Sequence, residues 1–462
     1  MGLREKVREL YSLIPERGLY VCPEQNIKFG NPRVVDINNN GSESISLHDE
    51  SYNATLLFSL FNGIRRRGAM VYFGPPGAGK TSLAELVGHF IYGQTIQEIQ
   101  NATIYGHPEH TESSIVARLH TGKLIQGTEE VIPREFLKSK VKIIDEVNRL
   151  LPGKLSILYQ LVDRGYVNYL SERIVAEEGP IFATANAPDS GNYPLPIPFL
   201  DRFDLAVVVN ELNPFFLDAL MAKGDGNARD GYGKLFDIPT NLKVSEKEIE
   251  DGRTEISKVA LDTDAFYFIV NFIAELNYCN EAGVDLEHKT KAFALNKKPS
   301  QGLCANCHYK GQVCSFTDND LSPRTYSAII AHSRTMAWFR GKDKASIEDV
   351  EQILPYTIWH KLHPTRYAFD KNSIFENDRI AFVRDLIGEV KKNYTSFKKG
   401  FKKYDNVLER IAEYATGGAK VARDKPDILV EIDSVLAELK KIDSVVKFPM
   451  AITLAQLSRT IK

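Results

Sequence analysis

Eight consecutive residues could hold a chain of phosphates. Gly74-Pro75-Pro76-Gly77-Ala78-Gly79-Lys80-Thr81 follows the pattern G-x-x-x-x-G-K-S/T. The glycines let the backbone turn tightly, so that its N–H groups point at one anion. Lys80 can reach the β- and γ-phosphates of a nucleotide, and the Thr81 hydroxyl can ligate Mg²⁺. Ser82 begins a helix at 82–90 whose positive N-terminal end faces the same anion. The motif follows an apolar strand and opens a helix, a context that a chance glycine-rich turn lacks.

Two further polar sites end apolar runs. Val141 to Ile144 leads into Asp145-Glu146. Asp145 could hold Mg²⁺ through water, and Glu146 could polarise an attacking water. Taken alone, such a pair could equally cap the next helix. The run 181–185 ends at Asn186, which could orient that water or serve as a turn residue before Ala187-Pro188. The residues alone leave those two roles open.

The third constellation is made of sulfur. Cys304-x-x-Cys307 is a chelating turn, Cys314 follows seven positions later, and Cys279 lies 25 residues upstream of Cys304. Four thiolates suit tetrahedral Zn²⁺, with a 4Fe–4S cluster as the alternative and four unliganded thiols as the plain reading. His288 and His308 are reserve ligands. The surrounding loop is polar and short of apolar surface, so a metal would supply missing stability. Cys22, the fifth cysteine, stands alone as a simple thiol.

The elements that must position these groups are legible in outline. Strands are expected at 70–73, 95–99, 141–144, 181–185 and 205–209, alternating with helical patterns. That alternation predicts an α/β fold, a parallel five-stranded sheet covered by helices on both faces. Beyond about 213 strand signals nearly vanish, and helices are expected at 265–276, 324–339 and 346–354. The reading is an N-terminal extension (1–50), an ATP-binding α/β domain (51–212), a helical lid (213–365) carrying a Cys-rich insertion at about 280–321, and a helical C-terminal region (366–462). Asn38-Asn39-Asn40-Gly41-Ser42 marks the end of the extension, and Gly417-Gly418 separates the tail helices.

Composition excludes several classes. The 462 residues are 43% hydrophobic and 26% charged, with a net charge of −2, which argues against a whole-protein grip on nucleic acid. No apolar run is long enough to span a membrane. The N-terminus reads as an amphipathic helix rather than a signal peptide, so the expected compartment is the cytoplasm. Lysine pairs 391–392, 398–399 and 402–403 interleave with Tyr394, Phe397, Phe401 and Tyr404. This pattern can bind nucleic acid, but a buried aromatic stripe with a solvated lysine face is favoured.

The chain resembles the MoxR family of AAA+ ATPases over about 55–365. GPPGAGKTSLAE (74–85), IIDEVNR (143–149), FATANAP (182–188) and NYPLPIPFLDRFDL (192–205) carry the resemblance. LSPRTYSAIIAHSRTMAWFRGK (321–342) and IEDVEQILPYTIWHKLHP (347–364) complete it. The resemblance implies that Asn186 is sensor 1, Arg202 an arginine finger reaching a neighbouring subunit, and Arg324 the sensor 2 arginine, its subunit of action open. It implies a homo-oligomeric, hexameric ring that remodels a partner protein, one with a von Willebrand factor A domain. Residues 120–127 resemble the helix-2 insert, and 165–179 the pre-sensor 1 hairpin. The Cys-rich insertion departs from the family pattern. Two rival functions stand beside remodelling: a nucleic-acid translocase using Lys123, Arg164 and Arg173, and a slow nucleotide-switched scaffold.

Overall fold

The computed structural model describes residues 1–16, 25–37, 44–186, 191–210, 237–416 and 425–461. Cys22, the 38–42 loop, Ala187 and Pro188, the 212/213 boundary and Gly417-Gly418 lie outside the described residues. The chain divides into two compact units, Met1–Ala260 with Ser327–Thr357, and Leu261–Tyr326 with Ile358–Lys462.

The first unit is built on a five-stranded sheet: β1 (Ala69–Phe73), β2 (Ile104–Tyr105), β3 (Lys142–Asp145), β4 (Ile181–Ala185) and β5 (Leu205–Val208), in the order β5-β1-β4-β3-β2. Every pairing is parallel. Parallel strands are covered on both faces, which is why β1 and β4 are buried almost throughout rather than alternating. Central β4 fixes the register, with Ala183 opposite Val71 on one side and Ile144 on the other. The polar residues of interest therefore emerge together at the carboxyl ends of β1, β3 and β4, where open α/β sheets place their ligands.

Four of the expected strands form; the one expected at 95–99 does not. That segment is helix Ile96–Asn101. Thr95 and Glu98 form a capping box: the Glu98 N–H donates to Thr95 Oγ1 at 3.3 Å, and the Thr95 N–H to Glu98 Oε2 at 2.7 Å. Two satisfied amides outweigh a weak strand pattern. The edge strand instead comes later, as two-residue β2 against Ile144 and Asp145.

The larger helices are α1 (Leu3–Glu16), α2 (Ala54–Ile64), α3 (Lys80–Tyr92), α4 (Pro152–Arg164), α5 (Glu246–Lys258), α6 (Thr263–Asn277), α7 (Pro323–Phe339), α8 (Ile347–Ile358), α9 (Arg379–Thr416), α10 (Lys425–Leu439) and α11 (Lys447–Ile461). No helix among the described residues is long and apolar enough to cross a membrane. On α9, Tyr394, Phe401 and Tyr404 are buried while Lys391, Lys392, Lys402 and Lys403 are exposed. This is the amphipathic stripe, with Phe401 against Tyr267 of α6 at 5.3 Å.

In the second unit the four cysteines are free thiols, with Cys279, Cys304 and Cys314 buried and Cys307 half-buried. The expected zinc or 4Fe–4S centre at Cys279, Cys304, Cys307 and Cys314 is not found. Among the described residues no group of three or more His, Cys, Asp or Glu side chains is gathered to hold a metal ion. The apolar surface that the loop lacks comes from the distant tail. Cys314 and Tyr309 pack with Val445 and Phe448, with Tyr278 and Cys307 against them. Burial pushes the Cys304 thiol up to about 11 and Cys314 to about 12, which keeps both protonated near neutral pH. The reserve histidines are engaged elsewhere: His288 stacks on Phe293 at 4.3 Å, and His308 pairs with Asp443 at 2.7 Å.

Candidate nucleotide site

Between β1 and α3 the chain makes a loop in which Gly77 and Gly79 adopt left-handed φ of 77° and 78°. A side chain at either position would be strained, and Gly79 serves as the N-cap of α3. The turn folds the loop around Lys80. Its ammonium donates to the carbonyls of Gly74 and Pro75, each at 2.7 Å, and to Asn186 Oδ1 at 2.9 Å. Burial pulls the Lys80 pKa below its ordinary value, while the charges of Asp145 and Glu146 act to raise it.

The acidic pair sits opposite. Asp145 Oδ1 accepts from the hydroxyls of Thr81 and Thr184, both at 2.6 Å. Thr184 Oγ1 in turn accepts from the Glu146 N–H at 2.8 Å. Asn186 Nδ2 donates to Glu146 Oε1 at 2.6 Å. Asn186 is itself fastened through its backbone, its carbonyl accepting from Asn148 Nδ2 at 3.0 Å and its N–H donating to Asn148 Oδ1 at 3.3 Å. Lys80, Thr81, Asp145, Glu146, Thr184 and Asn186 line one cavity of about 260 Å³, with Pro76, Gly77, Ala78, Gly79 and Ser82 completing its wall. The cavity thus offers backbone N–H groups and an ammonium for an anion, two oxygen donors for a hard cation, and a carboxylate beside a carboxamide for a water.

Thr184 and Asn148 were not singled out from the sequence. Thr184 left a signal, since it is the one hydroxyl inside an apolar strand. Strand alternation also sets it on the same face as Asn186. Asn148 gave none beyond its polarity.

The two candidate arginines belong to different units. Arg202 donates from Nε to Asp163 Oδ2 at 2.8 Å, donates to the Pro198 carbonyl, and sits over the Tyr159 ring at 4.5 Å. It does not line the cavity of its own chain. Arg324 is the second residue of α7, exposed, in the second unit. The 120–127 segment holds helix Thr121–Ile125 between paired strands Ala117–Leu119 and Val131–Pro133. The second hairpin pairs Tyr166–Tyr169 with Glu172–Val175.

Residues 70–203 match the AAA domain of the dynein-related subfamily, and residues 313–381 match the AAA lid domain. The chain is 26% identical over 310 residues to the chaperone MoxR1 of Mycobacterium tuberculosis, covering 65% of this chain and 69% of that protein. Together these likenesses support a MoxR-family AAA+ ATPase. The chain is an AAA+ ATP hydrolase, and ATP with Mg²⁺ is what its cavity is expected to receive. A solved structure assigned as an ATPase from Cytophaga hutchinsonii shares the fold, with a TM-score of 0.56 and 16% identity over 84% of this chain and 94% of that one.

Proposed function

We propose that this MoxR-family ATPase assembles into a homo-oligomeric ring, hydrolyses ATP between adjacent protomers and uses the motion to remodel or mature a partner protein. The observation that carries this reading is the convergence of Lys80, Thr81, Asp145, Glu146 and Asn186 on one cavity. Lys80 exchanges its bonds to the Gly74 and Pro75 carbonyls for bonds to the β- and γ-phosphates. Thr81 and Asp145, already joined at 2.6 Å, are hard oxygen donors of the kind Mg²⁺ takes. There the ion would neutralise phosphate charge. Glu146 polarises the attacking water, and Asn186, held at its backbone by Asn148, orients it.

Arg202 is the finger offered to a neighbour. Its guanidinium stays charged and is pre-oriented by Asp163 and Tyr159, as a group that stabilises transferred phosphoryl charge must be. Arg324 is the lid arginine, sensor 2. A hexamer, a cytoplasmic setting and a partner carrying a von Willebrand factor A domain follow from the family likeness, and the chaperone role of the mycobacterial relative supports the same reading. The translocase rival draws no support from its basic residues. Lys123 is paired with Glu130, and Arg164 and Arg173 are both engaged by Tyr166. Mixing decides the ring. Lys80→Ala and Arg202→Ala subunits, each inactive alone, regain ATPase activity together when the finger acts in trans. No recovery in verified mixed assemblies refutes the shared site.

A further inference from the structure

Asp145 and Glu146 are consecutive, yet both line the phosphate cavity. Consecutive residues of a strand point to opposite faces. The conflict is resolved at Glu146, whose backbone turns left-handed, with φ 51° and ψ 49°. Such a conformation is strained for a residue with a side chain and persists only when its surroundings hold it. Gly106 is part of what holds it. Its N–H donates to the Asp145 carbonyl at 2.7 Å, and a Cβ there would stand 2.0 Å from the Glu146 carbonyl oxygen. No side chain fits at Gly106 while the turn at Glu146 is kept.

The turn takes Glu146 out of the sheet, so its carboxylate must be aimed by other side chains. Asn186 Nδ2 holds Oε1 at 2.6 Å. Arg149 Nε stands 3.0 Å from Oε2. The two residues are joined by the turn that carries them, since the Arg149 N–H donates to the Glu146 carbonyl at 2.9 Å. Arg149 Nε is buried and has no well-angled acceptor among the described residues.

We infer that Arg149 is a positioning residue for hydrolysis: its guanidinium fixes the second oxygen of Glu146, so that the carboxylate addresses the water held by Asn186. The inference rests on Glu146 being the base. Removing Arg149 leaves the phosphate cradle intact and lets the carboxylate rotate about its bond to Asn186. The loss therefore falls on the chemical step and not on nucleotide binding.

Arg149→Ala is expected to lower kcat about tenfold, the size of one charge-assisted contact, with KM for ATP, affinity for a non-hydrolysable analogue and Tm unchanged. Arg149→Lys restores part of the loss, because the charge returns without the planar fork. In a Glu146→Gln background the same change costs nothing further, as expected for two groups acting as a unit. An unchanged or raised kcat, an effect confined to KM, or a full additional loss on top of Glu146→Gln overturns the inference. Should Glu146→Gln itself turn over at the parent rate, the assignment of the base fails instead, and the two failures are told apart by that single variant.

Discussion

The nucleotide cleft and the cysteine pocket both gather reactive side chains, and only one of them is arranged for chemistry. In the cleft each charged group meets a partner of the right kind. Lys80 has three oxygen acceptors, Asp145 two hydroxyl donors, and Glu146 a carboxamide and a guanidinium. All of them border a cavity. In the cysteine pocket Cys314 and Cys307 are packed by Tyr309, Val445 and Phe448, and burial of all four thiols favours the protonated, neutral sulfur. Its ammonium, fully buried Lys291, donates to the Thr317 carbonyl at 2.8 Å and Oγ1 at 2.6 Å. Residue type and spacing thus look equally promising in both regions. What separates them is whether the charged forms are satisfied and whether a ligand can enter.

The largest test of that contrast is at the base. Glu146→Gln keeps the volume and the hydrogen bond from Asn186 but removes the negative charge. Turnover should fall about 10²–10⁴-fold while ATP binding persists, as read by a steady-state ATPase assay beside nucleotide titration. Turnover near the parent rate would mean that the cleft, too, is only a packed cluster of polar groups.

A second test uses a carboxylate in the opposite situation. Glu275 is buried on α6, where its oxygens accept from the carboxamides of Asn271 at 3.1 Å and Asn393 at 3.0 Å. Burial pushes its pKa up to about 7. A carboxyl raised in the folded state is most stabilising while protonated, below its unfolded value of about 4.3. That contribution is lost as pH rises through about 7. Glu275→Gln should remove this dependence and raise stability at pH 8 by roughly 1–3 kcal/mol, seen as a higher denaturant midpoint. Parallel stability curves for the two proteins between pH 4.5 and pH 8 would show that the buried carboxylate stays ionised.

Third comes Thr184, the hydroxyl that ties the acidic pair together. Thr184→Val deletes the donor to Asp145 and leaves the Glu146 N–H without its acceptor. An orphaned buried donor costs about 1–3 kcal/mol, so kcat should drop about tenfold with the fold retained. A parent-like kcat would show that Asp145 and the strained turn are held sufficiently by their other contacts.

How much of this was legible follows from the range of the interactions involved. Apolar runs and a local motif marked β1, β3, β4, β5 and the loop before α3, because each is specified by a few neighbouring residues. The mistaken strand at 95–99 was a local conflict in which Thr95 and Glu98, a capping pair visible in the sequence, outweighed the apolar pattern. Thr184 and Arg149 were missed because their roles depend on which strand lies alongside, and on a left-handed turn at a residue that rarely takes one. The cysteine pocket was misread for a longer-range reason. Val445 and Phe448 stand more than 120 positions beyond Cys314, and no reading of 280–321 alone could supply that apolar cover.

The smallest effect concerns those thiols, and it is the one that could erase the comparison. Alkylation proceeds through the thiolate, so reactivity follows exposure and pKa together. Cys307 is half-buried, whereas Cys279, Cys304 and Cys314 are buried, and burial raises the pKa of all four, Cys304 to about 11 and Cys314 to about 12. Of these four, Cys307 should therefore label first with iodoacetamide at pH 8, several-fold ahead of the rest by peptide mass spectrometry, with or without a chelator. A bound metal predicts a different pattern, with all four protected together and all four released together when the chelator is added. Such concerted release, accompanied by stoichiometric zinc or iron, would mean that the sulfur pocket is a liganded site like the cleft, and that burial had concealed its ligands rather than silenced them.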